Sequence, residues 1–188
     1  TPEFTDDGGN TSNTVENAIP ATVTFDGTIN GTAAGAQNLS VYGSNITFSQ
    51  NVGETVRLGD LIIGEADTDT TDQLGPLAGI VDATNRTINA ASVLVTASSF
   101  ISSHVNTSGL TDTAGGDIVI NVGTTLTTGD LTSTGGTATA SGQHGGNITL
   151  NAADIIVSGI NTSGSDAVTG SGGSAGAVNI TALENSGT

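Results

Sequence analysis

The densest group of chemically capable side chains is a run of three carboxylates, Asp67, Asp69 and Asp72. Oxygen ligands packed this closely are those that Ca²⁺ prefers in proteins. The run departs from an EF-hand loop, because Asp72 stands where that loop has glycine and Ala78 replaces its bidentate glutamate. Two interpretations stay open: a calcium site at Asp67, Asp69 and Asp72, or a solvated acidic loop. Calcium is thus a candidate ligand, and no cofactor is required.

The basic and imidazole side chains do not form a catalytic or metal-binding set. Arg57 and Arg86 are the only cationic side chains, and a whole structural element separates them. His104 and His144 lie in Ser- or Gly-rich turns, with no cysteine and no second histidine at ligand spacing.

Three acidic residues, Asp117, Asp130 and Asp154, fall on successive repeats of the chain. Each stands in a turn, where aspartate is common for conformational reasons alone. We therefore expect no catalytic residue and no enzymatic activity, and the sequence leaves the binding residues unassigned.

The charge balance excludes two classes of partner. The chain of 188 residues has 2 Lys and Arg against 18 Asp and Glu, a net charge of -16. Binding to nucleic acid or to anionic lipid depends on Lys and Arg, so we expect neither partner. No apolar run is long enough to span a bilayer, and membrane insertion is not expected.

An internal repeat determines the elements that position these residues. The hexapeptide at 116–121 (GDIVIN) returns at 146–151 (GNITLN) and again at 176–181 (GAVNIT). Short alternating strands recur with it, and polar Gly-rich segments of variable length separate them. The amino-terminal half repeats in a related form, with TVTF at 22–25 matched by NITF at 45–48.

Each repeat is predicted to contain three short strands. The first strands carry Leu39/Val41, Leu61/Ile63, Val93/Val95, Ile118/Ile120, Ile148/Leu150 and Val178/Ile180. The second strands carry Val23/Phe25, Ile46/Phe48, Ile101, Leu126 and Ile156. The third positions carry Ile29, Val52, Ile88, Val105, Leu131 and Ile160. Outward from the first strands, Asn121, Asn151 and Thr181 are expected to form a polar ladder.

Such short units cannot bury a core singly, so they must stack. The sequence predicts an all-β fold, a right-handed parallel β-helix (β-solenoid) of about six coils with three short strands each. It occupies residues 22–188, with an inserted loop at 64–87 and long loops at 135–146 and 164–176. Residues 1–21 are predicted to be a vector-derived, flexible or capping segment. The polypeptide is expected to continue beyond Thr188 into further repeats.

Two sets of motifs carry a family resemblance. The first comprises GGNITLNA (145–152), INTSG (160–164) and AGAVNITA (175–182). It resembles the repeats of filamentous-haemagglutinin-type bacterial surface proteins. The second comprises NLSV (38–41), NITF (45–48) and RLGDLII (57–63), and it is similar to repeats of large adhesin-like exoproteins. The resemblance implies a long secreted stalk on a bacterial cell surface that acts in adhesion.

The expected function is therefore a non-catalytic structural or adhesive segment of a large secreted bacterial surface protein. Its expected partners are glycans or proteins of host or neighbouring cells, together with adjacent β-helical repeats of the parent chain. The alternative is a polysaccharide-binding or polysaccharide-degrading β-helix protein. Ice binding is a further alternative, which the Thr-X-Thr pairs favour weakly because Thr125 and Thr127 are not repeated 30 residues later.

Overall fold

The computed structural model describes residues 22–64 and 78–184 of the chain. Within these two ranges the chain forms strands and turns without a helix, and every strand pair is parallel. The strands described are β1 (Val23–Phe25), β2 (Leu39–Val41), β3 (Asn45–Phe48), β4 (Leu58–Ile63), β5 (Ala78–Asn106), β6 (Ile118–Val122), β7 (Thr125–Thr132), β8 (Ile148–Ala152), β9 (Asp154–Asn161) and β10 (Val178–Ala182). The predicted parallel β-solenoid is confirmed.

The first strands of the repeats stack in one continuous column. Strands β2, β4, β5, β6, β8 and β10 pair in that order, so Val93 lies against Ile118, which in turn lies against Ile148. These three side chains are fully buried, as predicted. Alternate residues of each strand face inward because the side-chain period of a strand is two. The core is therefore a narrow spine of aliphatic side chains.

The outward polar ladder is present at two of its three predicted positions. Asn121 and Asn151 are register partners, and Asn151 Nδ2 donates to Asn121 Oδ1 at 2.6 Å. Thr181 pairs with Asn151 in the backbone register but is exposed. The amide bond joins neighbouring coils from outside, while the aliphatic spine joins them from inside.

The second and third strands are not always separate. In β7 and β9 they run together as one strand of eight residues, so these coils have two strands where three were predicted. The third position is a column in the amino-terminal half, where single bridges join Ile29 to Val52 and Val52 to Ile88. Strand β5 spans more than one turn, since its early residues pair with β3 and its later ones with β6 and β7.

The predicted second-strand register is wrong by one residue in two coils. The observed partners are Phe100, Leu126 and Ile155, whereas Ile101 and Ile156 face outward. Phe100 is 1% exposed and Ile156 is 60% exposed. The corner between the first and second strands is one residue longer in the coil that contains Leu126 than in the coils that contain Phe100 and Ile155. A shift of one residue turns the side chains to the opposite face.

The stack has about four turns between its two terminal levels, slightly fewer than the six coils predicted. The prediction counted each first strand as a coil, but β2 and β10 have a described neighbour on one side only. The predicted insertion at 64–87 is also shorter at its carboxyl-terminal end. Residues 80–82 pair with β3, and therefore belong to the stack.

The Gly-rich loops also stack in layers. Gly142 N donates to the Ser171 carbonyl, and Gly145 N donates to the Ser174 carbonyl, both at 2.9 Å. The long loops predicted at 135–146 and 164–176 therefore continue the inter-coil hydrogen bonding beyond the strands. No helix in the described part of the chain has the length and hydropathy to cross a bilayer.

Candidate functional site

The residues singled out for chemistry from the sequence are not brought together. Asp67, Asp69 and Asp72, the predicted calcium ligands, lie outside the described residues. Within 22–64 and 78–184, no group of three or more His, Cys, Asp or Glu side chains is placed to hold a metal ion. The stack instead forms a groove on its outer surface, at the corners that lead from the third position to the first strand.

The three acidic residues of successive repeats occupy three different positions around the coil. Asp117 accepts a hydrogen bond from the Asn147 backbone N–H at 2.8 Å, which fixes a turn. Asp130 lies in register with His104, and Asp154 lies in register with Thr125. The turn predicted for Asp130 and Asp154 is wrong, because Asp130 lies within β7 and Asp154 is the first residue of β9. The three acidic residues do not converge on one point.

The groove exists because one corner has no loop. Val93 follows Ile88 after only five positions, and β5 runs through this corner without interruption. Ile118, by contrast, follows Val105 after thirteen positions, and Leu61 follows Val52 after nine. The loops of the two neighbouring coils therefore project further from the stack axis than the corner between Ile88 and Val93. This difference leaves a gap between the two loops.

The groove has a volume of about 460 Å³ and mixed polar and apolar walls. Asn89 and Asn106 of β5 line it together with loop residues from both sides. The loop residues are Thr32, Ala33, Ala34, Gly53, Glu54, Thr55, Val56, Arg57 and Leu110. Its size falls within the range of pockets that hold small ligands.

Hydrogen bonds hold the groove residues in place. Asn106 Nδ2 donates to Asn89 Oδ1 at 3.2 Å, and Asn106 Oδ1 accepts from the Ser108 backbone N–H at 3.0 Å. On the opposite wall, the Thr55 backbone N–H donates to Asn30 Oδ1 at 2.9 Å. The groove is therefore built on backbone that the stack already orders.

Gly53 allows its own corner to approach the backbone of Asn89 in the neighbouring coil closely. Its φ is +68°, a left-handed conformation that glycine adopts without strain. A Cβ at this position would lie 2.0 Å from the Asn89 carbonyl oxygen. The Asn89 N–H in turn donates to the Val52 carbonyl at 2.9 Å. The close contact of these two corners requires glycine.

Arg57 is the cationic group of the groove. Its Nη1 donates to the carbonyl of Ser108 and so spans the gap left by the missing loop. Its Nε is buried and, among the described residues, has no hydrogen-bond partner. Burial lowers the pKa of the guanidinium. Arginine nonetheless stays charged at neutral pH.

The groove can bind a small polar ligand, because it combines one guanidinium, two side-chain amides and the carboxylate of Glu54 with the apolar surface of Leu110. Sequence reasoning missed it, since none of these residues forms a motif. A signal was available in the spacing: the five positions from Ile88 to Val93 are the shortest such interval among the repeats.

A scan against known protein families, a search of curated proteins and a search of solved structures each found no match to this chain.

Proposed function

We propose that this chain is a non-catalytic structural or adhesive segment of a large secreted bacterial surface protein. The observation that carries the proposal is the residue-for-residue register of the first-strand column from β2 to β10. A stack of this kind grows by repetition along one axis. It makes a stiff rod from short units, which suits a stalk that holds binding surfaces away from a cell.

The last described level of the stack supports this role. Val178 and Ile180 continue the inward columns of Ile148 and Leu150, yet they are 43% and 54% exposed, while Ile148 and Leu150 are fully buried. One more parallel strand on β10 would bury both side chains and pair its free backbone groups. Adjacent β-helical repeats of the parent chain are the partner we propose for this face.

Adhesion is tested with beads that carry the chain at a defined density. We expect the beads to resist washing from epithelial monolayers or from neighbouring bacteria about tenfold better than beads carrying an equally acidic unrelated protein, because several weak contacts act together. Equal retention of the two kinds of bead would contradict the adhesive role.

We propose that the insertion predicted at 64–87 contributes to adhesion, because an insertion between regular repeats is free to vary in sequence while the repeats position its ends. The deletion that tests this contribution must be narrower than 64–87. Residues 80–82 pair with β3, so removal of 64–87 would damage the stack itself. A deletion of residues 65–77, closed by a short Gly-Ser linker, leaves the described strands intact. Retention that survives this deletion would show that the insertion is not the adhesive surface.

Polysaccharide binding is the second candidate function, and the groove at Arg57 favours it. Degradation of polysaccharides is separated from binding by a dye-release screen, in which we expect no release. Ice binding gains no support from the register, because Thr125 pairs with Asp154 and Thr127 pairs with Ile156. These partners interrupt the threonine columns that a flat ice-binding face would need.

A further inference from the structure

We propose that the groove binds a carboxylate-bearing sugar residue of a surface glycan, with the Arg57 guanidinium holding the carboxylate. This inference rests on the proposed adhesive function and names the chemical class of its ligand. The observation that carries the inference is the position of Arg57 in an open groove of suitable size.

The first argument is one of charge. The chain carries a net charge of -16, and Arg57 is one of only two cationic side chains. A guanidinium has five N–H donors arranged to match a carboxylate. Among the described residues, Arg57 makes one hydrogen bond, to an uncharged backbone carbonyl. Because the Nε is buried, the donors that suit an anion supplied by a ligand are those that remain on the two Nη groups.

Partial burial strengthens this preference. The Nε of Arg57 has no partner among the described groups, and the lowered pKa of the side chain reports the loss of solvation. A cation that water solvates incompletely gains more from an anion than a fully exposed cation does, because the local dielectric is lower.

The second argument concerns the rest of the ligand. Asn89 and Asn106 present amide groups, which can donate to or accept from sugar hydroxyls. Leu110 is 44% exposed and offers apolar surface to the C–H face of a sugar ring. The volume of about 460 Å³ accommodates one or two sugar units. The groove therefore complements a hydroxylated ring as well as its charge.

Glu54 limits the kinds of ligand that the groove can bind. Glu54 lines the same groove as Arg57, and its negative charge repels a second carboxylate. It can accept hydrogen bonds from hydroxyl groups. A ligand with one carboxylate and several hydroxyls fits this arrangement, whereas a polyanion such as nucleic acid does not, because a single guanidinium cannot offset the acidic surroundings.

The test is an NMR titration of the ¹⁵N-labelled full chain with three probes: galacturonic acid, N-acetylneuraminic acid and neutral galactose. We expect saturable shifts at Arg57, Asn89 and Asn106 with an acidic sugar, at millimolar affinity. The affinity for galactose should be lower by a factor of about ten or more, since galactose lacks the charged group. The two acidic probes distinguish a uronate from a sialic-acid-type ligand, and a response to either supports the proposal.

Charge-matched variants keep the test specific. Arg57→Gln should abolish the shifts, whereas Arg86→Gln, which removes the same charge elsewhere, should leave them unchanged. Because Arg57 also bridges to Ser108, its variant could unfold. Glu54→Gln avoids that difficulty, since Glu54 is exposed, and it should tighten binding of the acidic sugars but not of galactose.

The inference is overturned if galactose binds as tightly as the acidic sugars, if no shift occurs in the groove, or if Glu54→Gln leaves the affinity for acidic sugars unchanged. These outcomes are separate from failure of the adhesive function. Beads that adhere while the groove binds no acidic sugar would refute the inference alone. Sugar binding without bead adhesion would refute the adhesive role alone.

Discussion

Gly116 shows how closely neighbouring coils approach at the scale of single residues. A Cβ at this position would lie 1.6 Å from the backbone oxygen of Ala91. Its own carbonyl accepts hydrogen bonds from the hydroxyls of Thr107 and Ser133, both at 2.6 Å. The loop therefore cannot move away from Ala91 without breaking these bonds.

We predict that Gly116→Ala lowers the free energy of unfolding by about 3 kcal/mol or more, because the new methyl group meets backbone that cannot yield. Gly27→Ala is the matched control, since a Cβ there has no neighbour within 4 Å. It should change stability by less than about 0.5 kcal/mol. Urea denaturation followed by circular dichroism measures both, and equal losses would contradict the close approach at Gly116.

Asp112 accepts hydrogen bonds from the hydroxyl and the backbone N–H of Thr139, at 2.5 Å and 2.6 Å. The hydroxyl bond, followed by the backbone bond, lowers the pKa of Asp112 below its ordinary value. Folding therefore favours the ionised form. This contribution to stability is present above the ordinary pKa of the carboxyl and is lost as the pH falls through the lowered value.

We expect Thr139→Val to raise the pKa of Asp112 towards its ordinary value, because the larger of the two favourable bonds is lost. Thr139→Ser retains the hydroxyl and should keep the pKa low. Carboxyl ¹³C shifts recorded through an acid titration report both variants. An unchanged pKa in Thr139→Val would mean that the hydroxyl does not stabilise the carboxylate.

At the scale of the element, the one-residue register of β5 decides which side chains enter the core. Phe100 faces inward and is 1% exposed, whereas its neighbour Ile101 faces outward. Both residues are large and apolar, so alternation alone does not tell them apart. Phe100 faces inward because it pairs in register with Leu126, which is buried.

We predict that Phe100→Ala costs about 3–5 kcal/mol of stability, since it leaves a cavity in the narrow spine. Ile101→Ala should cost less than half as much, because that side chain is only half-buried. Equilibrium unfolding of the two single variants gives the comparison. A larger loss of stability in Ile101→Ala than in Phe100→Ala would contradict this register and favour the one in which Ile101 points inward.

At the scale of the whole molecule, the chain has a net charge of -16, and its described residues carry ten acidic side chains against two arginines along a narrow stack. Like charges on such a stack repel one another. At 0.1 M salt, the repulsion between charges more than about 10 Å apart is largely screened. The acidity therefore suits saline or calcium-rich surroundings.

We expect the melting temperature to rise by several degrees between about 10 mM and 200 mM NaCl through screening alone. Ca²⁺ at matched ionic strength should raise it further only if Asp67, Asp69 and Asp72 bind the ion. The triple change of these residues to Asn, or EDTA, should then remove the additional rise. Calcium that acts no more strongly than NaCl, in the native chain and in the variant alike, would refute the predicted calcium site.

The repeat made much of this fold predictable. Val93, Ile118 and Ile148 recur at matching places in hexapeptides, and the structure stacks them as expected. The sequence predicts Ile101 and Ile156 in the core because their spacings from Leu126, 25 and 30 positions, equal the spacings of the first strands. The corner that follows changes by one residue between coils, and apolar character does not reveal such a change.

The sequence by itself determined the fold class, because short alternating strands with few inward side chains can bury a core only by stacking. It also determined the columns of the first strand and the asparagine ladder. Only the tertiary structure decided where a ligand site arises. Arg57, Asn89 and Asn106 are up to 49 positions apart, and no local pattern links them. They meet because the corner between Ile88 and Val93 lacks a loop, which opens a gap that exists only once the neighbouring coils are stacked on either side.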